Sequence, residues 1–432
     1  MTKPMNPPTQ MLRRTSKIEK LVAELCPEGV EFKELGELGI FFSGLTGKSK
    51  EDFSNGNAKF VTYMNVFSNI VVNTAIDNFV KISSEENQRE IQYGDVLFTG
   101  SSETPDECGM SSVLTERVDD PLYLNSFCFG FRLYDTSLFL PDFLKYLFRD
   151  SQIRKKISKT ANGVTRFNIS KKRFGKITIP IPPLAIQQEI VKILDTFTTL
   201  EAELEAELEA RKKQYESYRE ELLTFGNDVE FRELRNIFDI KNGYTPSKSK
   251  SEYWENGTVP WFRMEDIRQN GCVLDNSVQH INKFAVKGNR LFPANSILVA
   301  TSATIGEHAL VTVPHLSNQR FVSLSINPQY SDELIIKFIH YYFYLLDSWC
   351  IKNVRKSSFA SVDMGGFRKY PIPIPPLDEQ ERIVAILDKF DALVNDISAG
   401  LPAELNARRK QYEYYRDRLL TFKPLEKEYG NQ

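Results

Sequence analysis

The hexapeptide Ile179-Pro180-Ile181-Pro182-Pro183-Leu184 returns as Ile372-Pro373-Ile374-Pro375-Pro376-Leu377, 193 residues later, and each copy opens a stretch with heptad patterning. The match continues: Gln187, Ile190, Val191, Ile193, Leu194, Asp195 and Phe197 recur as Gln380, Ile383, Val384, Ile386, Leu387, Asp388 and Phe390. Further on, Lys213-Gln214-Tyr215-Glu216 and Leu222-Leu223-Thr224-Phe225 reappear as Lys410-Gln411-Tyr412-Glu413 and Leu419-Leu420-Thr421-Phe422. The offset there is 197, so the second copy has gained four residues inside its helix. A chain built this way contains one design twice. Its 432 residues exceed one ordinary core and suit two domains of about 150 residues plus connecting helices.

Apolar or aromatic residues at Ile186, Ile190, Ile193, Phe197, Leu200, Leu204, Leu208, Tyr215, Tyr218, Leu222 and Phe225 form a coiled-coil seam with one stutter between Leu200 and Leu208. Pro182 and Pro183 sit just before the first turn, where proline is tolerated. The second seam runs through Ile383, Ile386, Phe390, Leu393, Ile397, Leu401, Leu405, Tyr412, Tyr415, Leu419 and Phe422, with a kink predicted midway at Gly400 and Pro402. A helix from Ile186 to Phe225 would be roughly 60 Å long. The two seams can pack on each other as an antiparallel pair; a homodimeric coiled coil is the alternative.

Shorter correspondences mark where each globular part begins: Val30-Glu31-Phe32-Lys33-Glu34-Leu35 matches Val229-Glu230-Phe231-Arg232-Glu233-Leu234. Strand-like runs follow, Asp95 to Phe98 beside Ser296 to Val299 and Phe127 to Leu133 beside Arg320 to Ile326, then apolar helices near Pro141 to Ile157 and Ser331 to Val354. The expected fold class is α+β: two tandem α/β domains separated by two long antiparallel coiled-coil helices, with pseudo-two-fold symmetry. The expected segments are a tail and short helix (1–27), a first domain (28–179), a helical spacer (180–227), a second domain (228–373), a second spacer (374–424) and a tail (425–432). Strand pairing does not follow from the pattern.

Composition is that of a globular chain, 41% hydrophobic and 26% charged, without an apolar run long enough to cross a bilayer. Met1 to Gln10 is polar and proline-rich, reads as a disordered tail and not a signal peptide, and implies a cytoplasmic protein. Five cysteines lie far apart and four histidines show no ligand spacing, so no metal or disulfide framework is expected. The formal net charge of −2 hides opposite local charges. Ser151 to Lys176 carries nine basic residues and no acidic one; Leu200 to Ala210 carries five glutamates and no base.

Three fragments imitate catalytic motifs. Gly44-Leu45-Thr46-Gly47-Lys48-Ser49 ends like a phosphate-binding loop, but the required first glycine would fall on Phe42. Asn6-Pro7-Pro8-Thr9 is similar to the Asn-Pro-Pro-aromatic motif of amino-methyltransferases, with threonine replacing the aromatic. Asp95 and Glu103 belong to no recurring carboxylate and lysine constellation of a nuclease.

What remains is chemistry for holding phosphates and bases. Lys159, Asn162, Thr165, Arg166, Asn168 and Lys171 form a polar loop between basic flanks, and Arg355, Lys356, Ser358 and Ser361 are its counterpart at offset 193. Cations there would hold phosphates while polar side chains read base edges; a solvated lysine-rich surface is the plainer alternative. Further candidates are Ser43, Thr46, Lys48 and Lys50 in the first domain and Tyr244, Thr245, Ser247 and Lys248 in the second. Ser101 and Ser102, and Thr301, Ser302 and Thr304, follow strand-like runs, where turn capping explains them equally well. Trp254, Trp261 and Phe262 read as core.

With duplicated variable parts, each followed by Pro-Ile-Pro-Pro-Leu and a long helix ending in Arg-Lys-Lys-Gln-Tyr or Arg-Arg-Lys-Gln-Tyr, the chain closely resembles the specificity subunit of type I restriction-modification systems. The Pro-Leu-x-x-Gln-x-x-Ile-Val-x-Ile-Leu-Asp segments at Pro183 to Asp195 and Pro376 to Asp388 carry most of that resemblance, with Lys17 to Phe32 resembling the family's opening segment. The resemblance implies two target recognition domains, each reading half of a split double-stranded DNA sequence, and helices that space them. It implies two methyltransferase subunits, docked here through Gln187, Ile190, Leu194, Gln380, Ile383 and Leu387, and two restriction subunits in the full complex. It also implies that catalysis, with its S-adenosylmethionine, ATP and magnesium, belongs to those partners, leaving no cofactor in this chain. The repeated Leu-Glu-Ala-Glu turns from Leu200 would then act as a ruler.

Overall fold

A computed structural model describes residues 9–355, 360–396 and 399–426. The chain divides into two compact units, one of Met1–Glu205 with Glu404–Gln432, the other of Ala206–Ala403. The division falls inside the long helix Leu184–Leu222, 39 residues or about 58 Å, whose two parts belong to different units. Residues 1–8 of the tail expected to be disordered lie outside the described residues, and a helix runs over Thr9–Leu25.

The first unit centres on an antiparallel sheet ordered Gly39–Ser43, Cys128–Leu133, Val96–Thr99, Ser111–Val113. Val96-Leu97-Phe98 is an unbroken apolar run because this inner strand is buried on both faces. Val96 and Phe98 enter a core with Phe129, Phe143 and Phe174, while Leu97 joins Val61, Val66 and Leu114 on the other side. The second unit repeats the plan in the order Phe238–Asn242, Phe321–Ile326, Ser296–Ala300, His308–Val311, Val273–Leu274. There Ile297 and Val299 face one core, Leu298 and Ala300 another. A small three-stranded sheet accompanies each, centred on Ala58–Val61 and on Val259–Phe262. Trp261 and Phe262 are buried and Trp254 half-buried, in keeping with a core role.

Of the duplicated prolines, Pro180 and Pro373 lie in two-stranded pairs, Thr178–Ile181 against Glu31–Glu34 and Pro371–Ile374 against Glu230–Glu233. Such a pair leaves one edge of each strand free, so a residue without an N–H is accommodated. The helix following each pair is tied back by its recurring polar residues. Gln187 Nε2 donates to Leu138 O and Pro182 O, both at 2.8 Å, and its Oε1 accepts from Leu140 N at 2.9 Å. Gln380 repeats this with Glu333 O, Pro375 O and Ile335 N, each at 2.8 Å. Asp195 accepts from Tyr146 Oη at 2.7 Å, and Asp388 from Tyr341 Oη at 2.5 Å.

The expected docking role of Gln187, Ile190, Leu194, Gln380, Ile383 and Leu387 is therefore corrected. All six have 0% exposure, consumed by their own units. Amphipathic periodicity identifies a face that must be covered but not whether a partner chain or the same chain covers it.

The seams close within the chain. In the first unit Phe197 packs on Tyr412 and Tyr415, and Arg409 pairs with Glu201 and Glu205, so the long helix and the last helix, Leu401–Leu419, run antiparallel. In the second unit Tyr215 and Tyr218 pack on Phe390 of the helix Leu377–Val394. The predicted kink is a complete break, since helix ends at Val394 and resumes at Leu401. A Cβ at Gly400 would meet Ala392 O at 2.4 Å, so the chain passes there only as glycine. The segment expected as one helix over Pro141 to Ile157 is two, Pro141–Leu147 and Ser151–Ser158. Asp150 caps the second, accepting from Gln152 N and Ile153 N. Its counterpart is one helix, Ile336–Lys352. No described helix is long and apolar enough to cross a membrane.

Candidate nucleic-acid interface

In the first unit the polar loop is the turn of a β-hairpin. Ala161–Asn162 pairs with Phe167–Ile169, which pairs in turn with Ser101–Ser102. Gly163 has φ +147°, and a Cβ there would lie 2.0 Å from Arg166 O, so the turn requires glycine. Lys171 Nζ donates to Ser43 Oγ at 3.2 Å. The fold thereby brings together Ser43, Ser101, Ser102, Asn162, Thr165, Arg166, Asn168 and Lys171, which the sequence scatters over 129 positions (43 to 171). Thr165 and Asn168 are exposed, with side chains free of hydrogen bonds among the described residues. Arg166 donates through Nε and Nη2 to Ser101 Oγ at 3.2 and 2.9 Å, and its guanidinium carbon lies 5.5 Å from the centre of the Phe127 ring.

The basic segment splits into two populations. Arg154 is structural: it donates to the carbonyls of Asp106, Cys108 and Gly109, and burial pushes its guanidinium down to about 10. Arg173 likewise binds Thr160 O and Asn162 Oδ1, and Lys156 Nζ donates to Thr178 O at 3.0 Å. Lys155, Lys159, Lys172 and Lys176 are exposed and unpaired among the described residues. Partial burial draws the Lys171 ammonium below its ordinary value without giving it a carboxylate partner.

Lys48, a candidate DNA contact, is engaged within its own unit. Its side chain is 6% exposed, paired with Glu86 and donating to Lys81 O. Thr46 is held to the same region, its N and O bonded to the Gln88 amide at 3.1 and 2.9 Å, while Lys50 is exposed. Lys48 and Thr46 are tied to residues 81–88 rather than to the hairpin.

The second unit builds the same three-strand motif. Val354–Arg355 pairs with Ser361–Val362, Ser361 bridges to Ser302, and Val362 N donates to Thr301 O at 2.9 Å. Thr301, Ser302, Arg355 and Ser361 thus converge; Arg355 pairs with Asp363. Lys356 and Ser358, on the turn, lie outside the described residues. Thr304 belongs to the tight turn after Ser302, its N donating to Ser302 O at 2.9 Å, with Ala303 at φ +66°.

Nearby, a cleft of roughly 310 Å3 is lined by Thr245, Lys248, Arg263, Glu265, Asn318 and Arg320 among others. Thr245 Oγ1 donates to Gln319 Oε1, and Ser247 is exposed and shares a hydroxyl contact with Ser249 at 2.8 Å. Tyr244 is corrected to a structural role, its hydroxyl donating to Ala285 O and accepting from Lys287 N.

Two prominent side chains, Phe127 and Arg320, were not among the sequence candidates. Each is exposed on a loop whose backbone bonds to the strand leading into the three-strand motif. The available signal was their equivalence at offset 193, although exposure does not follow from it. His308 and His340 also meet unannounced: His308 Nδ1 donates to Asp347 Oδ2 at 2.6 Å and its Nε2 lies 3.1 Å from His340 Nδ1, all inside the second core. Among the described residues, no group of three or more His, Cys, Asp or Glu side chains could hold a metal. Around both hairpins the exposed groups include ammonium, guanidinium, hydroxyl and amide, which hold phosphates and read base edges, with carboxylates beside them: Glu107 accepts from Ser102 Oγ at 3.0 Å and Asp363 pairs with Arg355.

A family model described as the type I restriction modification DNA specificity domain matches residues 27–210 and again 226–407. Among curated relatives, the EcoprrI type I restriction enzyme specificity subunit of Escherichia coli is 56% identical over 214 residues, covering 48% of this chain and 53% of that protein. The EcoR124I/EcoR124II specificity subunit of the same species is 42% identical over 261 residues, covering 57% of this chain and 63% of that one. The matched stretches thus span between about half and two thirds of these relatives. Among solved structures, a chain from a type I R-M system, described for its complex assembly and conformational transition, aligns with TM-score 0.63 at 17% identity. It covers 91% of this chain and 97% of that one. The HsdS subunit from Thermoanaerobacter tengcongensis aligns with TM-score 0.50 at 19% identity, covering 92% and 97%.

Proposed function

Because the chain belongs to the family of type I restriction modification DNA specificity domains, and carries that domain twice, we propose that it is the DNA-specificity subunit of a type I restriction-modification complex. Each unit binds one half of a bipartite double-stranded target, with recognition domains near residues 28–179 and 228–373. The observation that supports this most directly is the recurrence of one three-strand motif, hairpin plus Ser101 or Ser302, in both units. In the first unit Lys155, Lys159, Lys172 and Lys176 surround it with unpaired charge. Such cations bind phosphates without regard to sequence, and hydroxyls and amides between them discriminate bases. A local basic field of this kind suffices even at a net charge of −2.

The protein does no chemistry on DNA. Adenine methylation with S-adenosylmethionine, and ATP- and magnesium-dependent translocation and cleavage, belong to two methyltransferase and two restriction subunits that join it in the cytoplasm. The methyltransferase subunits meet the outer surface where each long helical segment begins; the equivalent Leu184 and Leu377 are 45% and 43% exposed there. The helices set the distance between half-sites.

Long-read sequencing of modified adenines in cells with and without this gene, partner genes present, tests the reading. The gene should add one bipartite motif, and replacing residues 30–176 with a related domain should change one half of it. An identical adenine methylome in both strains would refute the proposal.

A further inference from the structure

The two units hold one position by the same backbone contacts and fill it with different side chains. In the first, Phe127 N donates to Asn125 Oδ1 at 2.9 Å, and Phe127 O accepts from Gly100 N at 2.8 Å. In the second, Arg320 N donates to Asn318 Oδ1 at 3.0 Å, and Arg320 O accepts from Thr301 N at 2.9 Å. Gly100 and Thr301 each precede the serine, Ser101 or Ser302, that meets the hairpin at Asn168 or Ser361. The backbone at this position is fixed from both sides and the side chain is left outside: Phe127 is 57% exposed, and Arg320 is exposed. Among the described residues the Arg320 guanidinium makes no ion pair and no hydrogen bond. Its neighbour Gln319 accepts from Thr245 Oγ1 through its amide oxygen, and Arg320 is the charged donor of this loop.

We infer that this clamped position determines sequence preference in each unit, and that Arg320 selects a guanine in the half-site bound by the second. The inference rests on reading each unit as a DNA-recognition domain. A guanidinium presents two parallel N–H donors that match O6 and N7 of guanine in the major groove. A phosphate contact would serve both units equally and would leave a cation at both positions. Here one unit carries a phenyl ring at the position itself; the nearest cation, the Arg166 guanidinium 5.5 Å from the ring centre, is held by Ser101 Oγ, and a phosphate contact does not call for the ring. The ring has no donor, so the matching base pair of the first half-site is chosen by apolar contact, as with a thymine methyl group.

The test uses the full chain with its modification partner in cells, read by long-read sequencing of modified adenines. Arg320→Ala should relax one guanine of the second half-site, lowering discrimination there roughly ten-fold, while the first half-site and the gap stay as they are. Arg320→Gln removes the charge and offers the donor–acceptor pair that matches adenine N6 and N7, and should shift the preference at the same base pair from guanine towards adenine. Phe127→Ala should broaden one base pair of the first half-site only. An alanine or glutamine variant that weakens all sites evenly would identify a phosphate contact and overturn the inference. An unchanged motif in Arg320→Ala would overturn it too. If alanine abolishes modification altogether, the glutamine variant decides, a retained wild-type guanine overturning the inference. A wild-type chain that yields no bipartite motif fails at the earlier step, taking the reading of the units down before any variant is compared.

Discussion

Gln187 and Gln380 are the residues whose meaning shifts most between sequence and structure. Their recurrence was plain, but one chain does not reveal whether a repeated glutamine faces a partner or its own core. Each proves to be fully buried with three hydrogen bonds to backbone groups. Gln187→Leu keeps the volume but strands Leu140 N–H and two carbonyls, so the first unit should lose about 2–4 kcal/mol. Urea unfolding of the full chain measures this, and a loss under about 1 kcal/mol would show that the side chain is not a clasp. Lys48 is a similar case: a lysine between glycine and serine looks free until Glu86, 38 residues away (48 to 86), is seen to hold it. Phe127 and Arg320 were passed over because aromatic and cationic residues at the start of a strand carry no local mark of exposure.

Among elements, the long helix and its proline start were legible because a seam of steps of three and four is hard to imitate. The strands were visible as apolar runs, yet their pairing was not, since register depends on contacts between segments as distant as Gly39–Ser43 and Cys128–Leu133. The hairpin candidates were found as a composition, polar between basic, and only the structure joined them to Ser101 and Ser302. The break after Val394 was read as a kink; the four extra residues of the second copy are accommodated there. If the helical segments set the gap between half-sites, one more Leu-Glu-Ala-Glu turn after Glu207 adds ~6 Å of rise. The unread gap should then grow by roughly one or two base pairs at about 3.4 Å each. Methylome sequencing of the insertion variant gives the gap directly, and an unaltered one would rule out the ruler.

For the whole molecule, the distribution of rare residues makes the two units separable in solution. All four histidines and all three tryptophans fall in the second unit. Burial pushes His315 down to about 4, its Nδ1 donating to Val313 O and its Nε2 buried without a partner; burial beside His308 also depresses His340. The unfolded chain takes up these protons near pH 6.5 while the folded one does not. Stability is therefore complete above pH 6.5 and falls as pH drops towards 4, by about 1.4 kcal/mol per pH unit for each such histidine. Urea titrations followed by tryptophan fluorescence should show the midpoint falling between pH 7 and 5. His315→Phe, seated between Phe262 and Phe292, should reduce the slope; an equal slope in the variant would contradict the assignment.

The last helix lies in the first unit, with Tyr415 on Phe197 and Lys423 O accepting from Val30 N at 2.8 Å. On a ribosome adding about 5–20 residues per second, the 218 positions from Phe197 to Tyr415 represent a delay of roughly 10–40 s. Throughout it the earlier unit waits with an apolar strip uncovered, while the later one, drawn from contiguous residues, can close. The domain synthesised first is finished last.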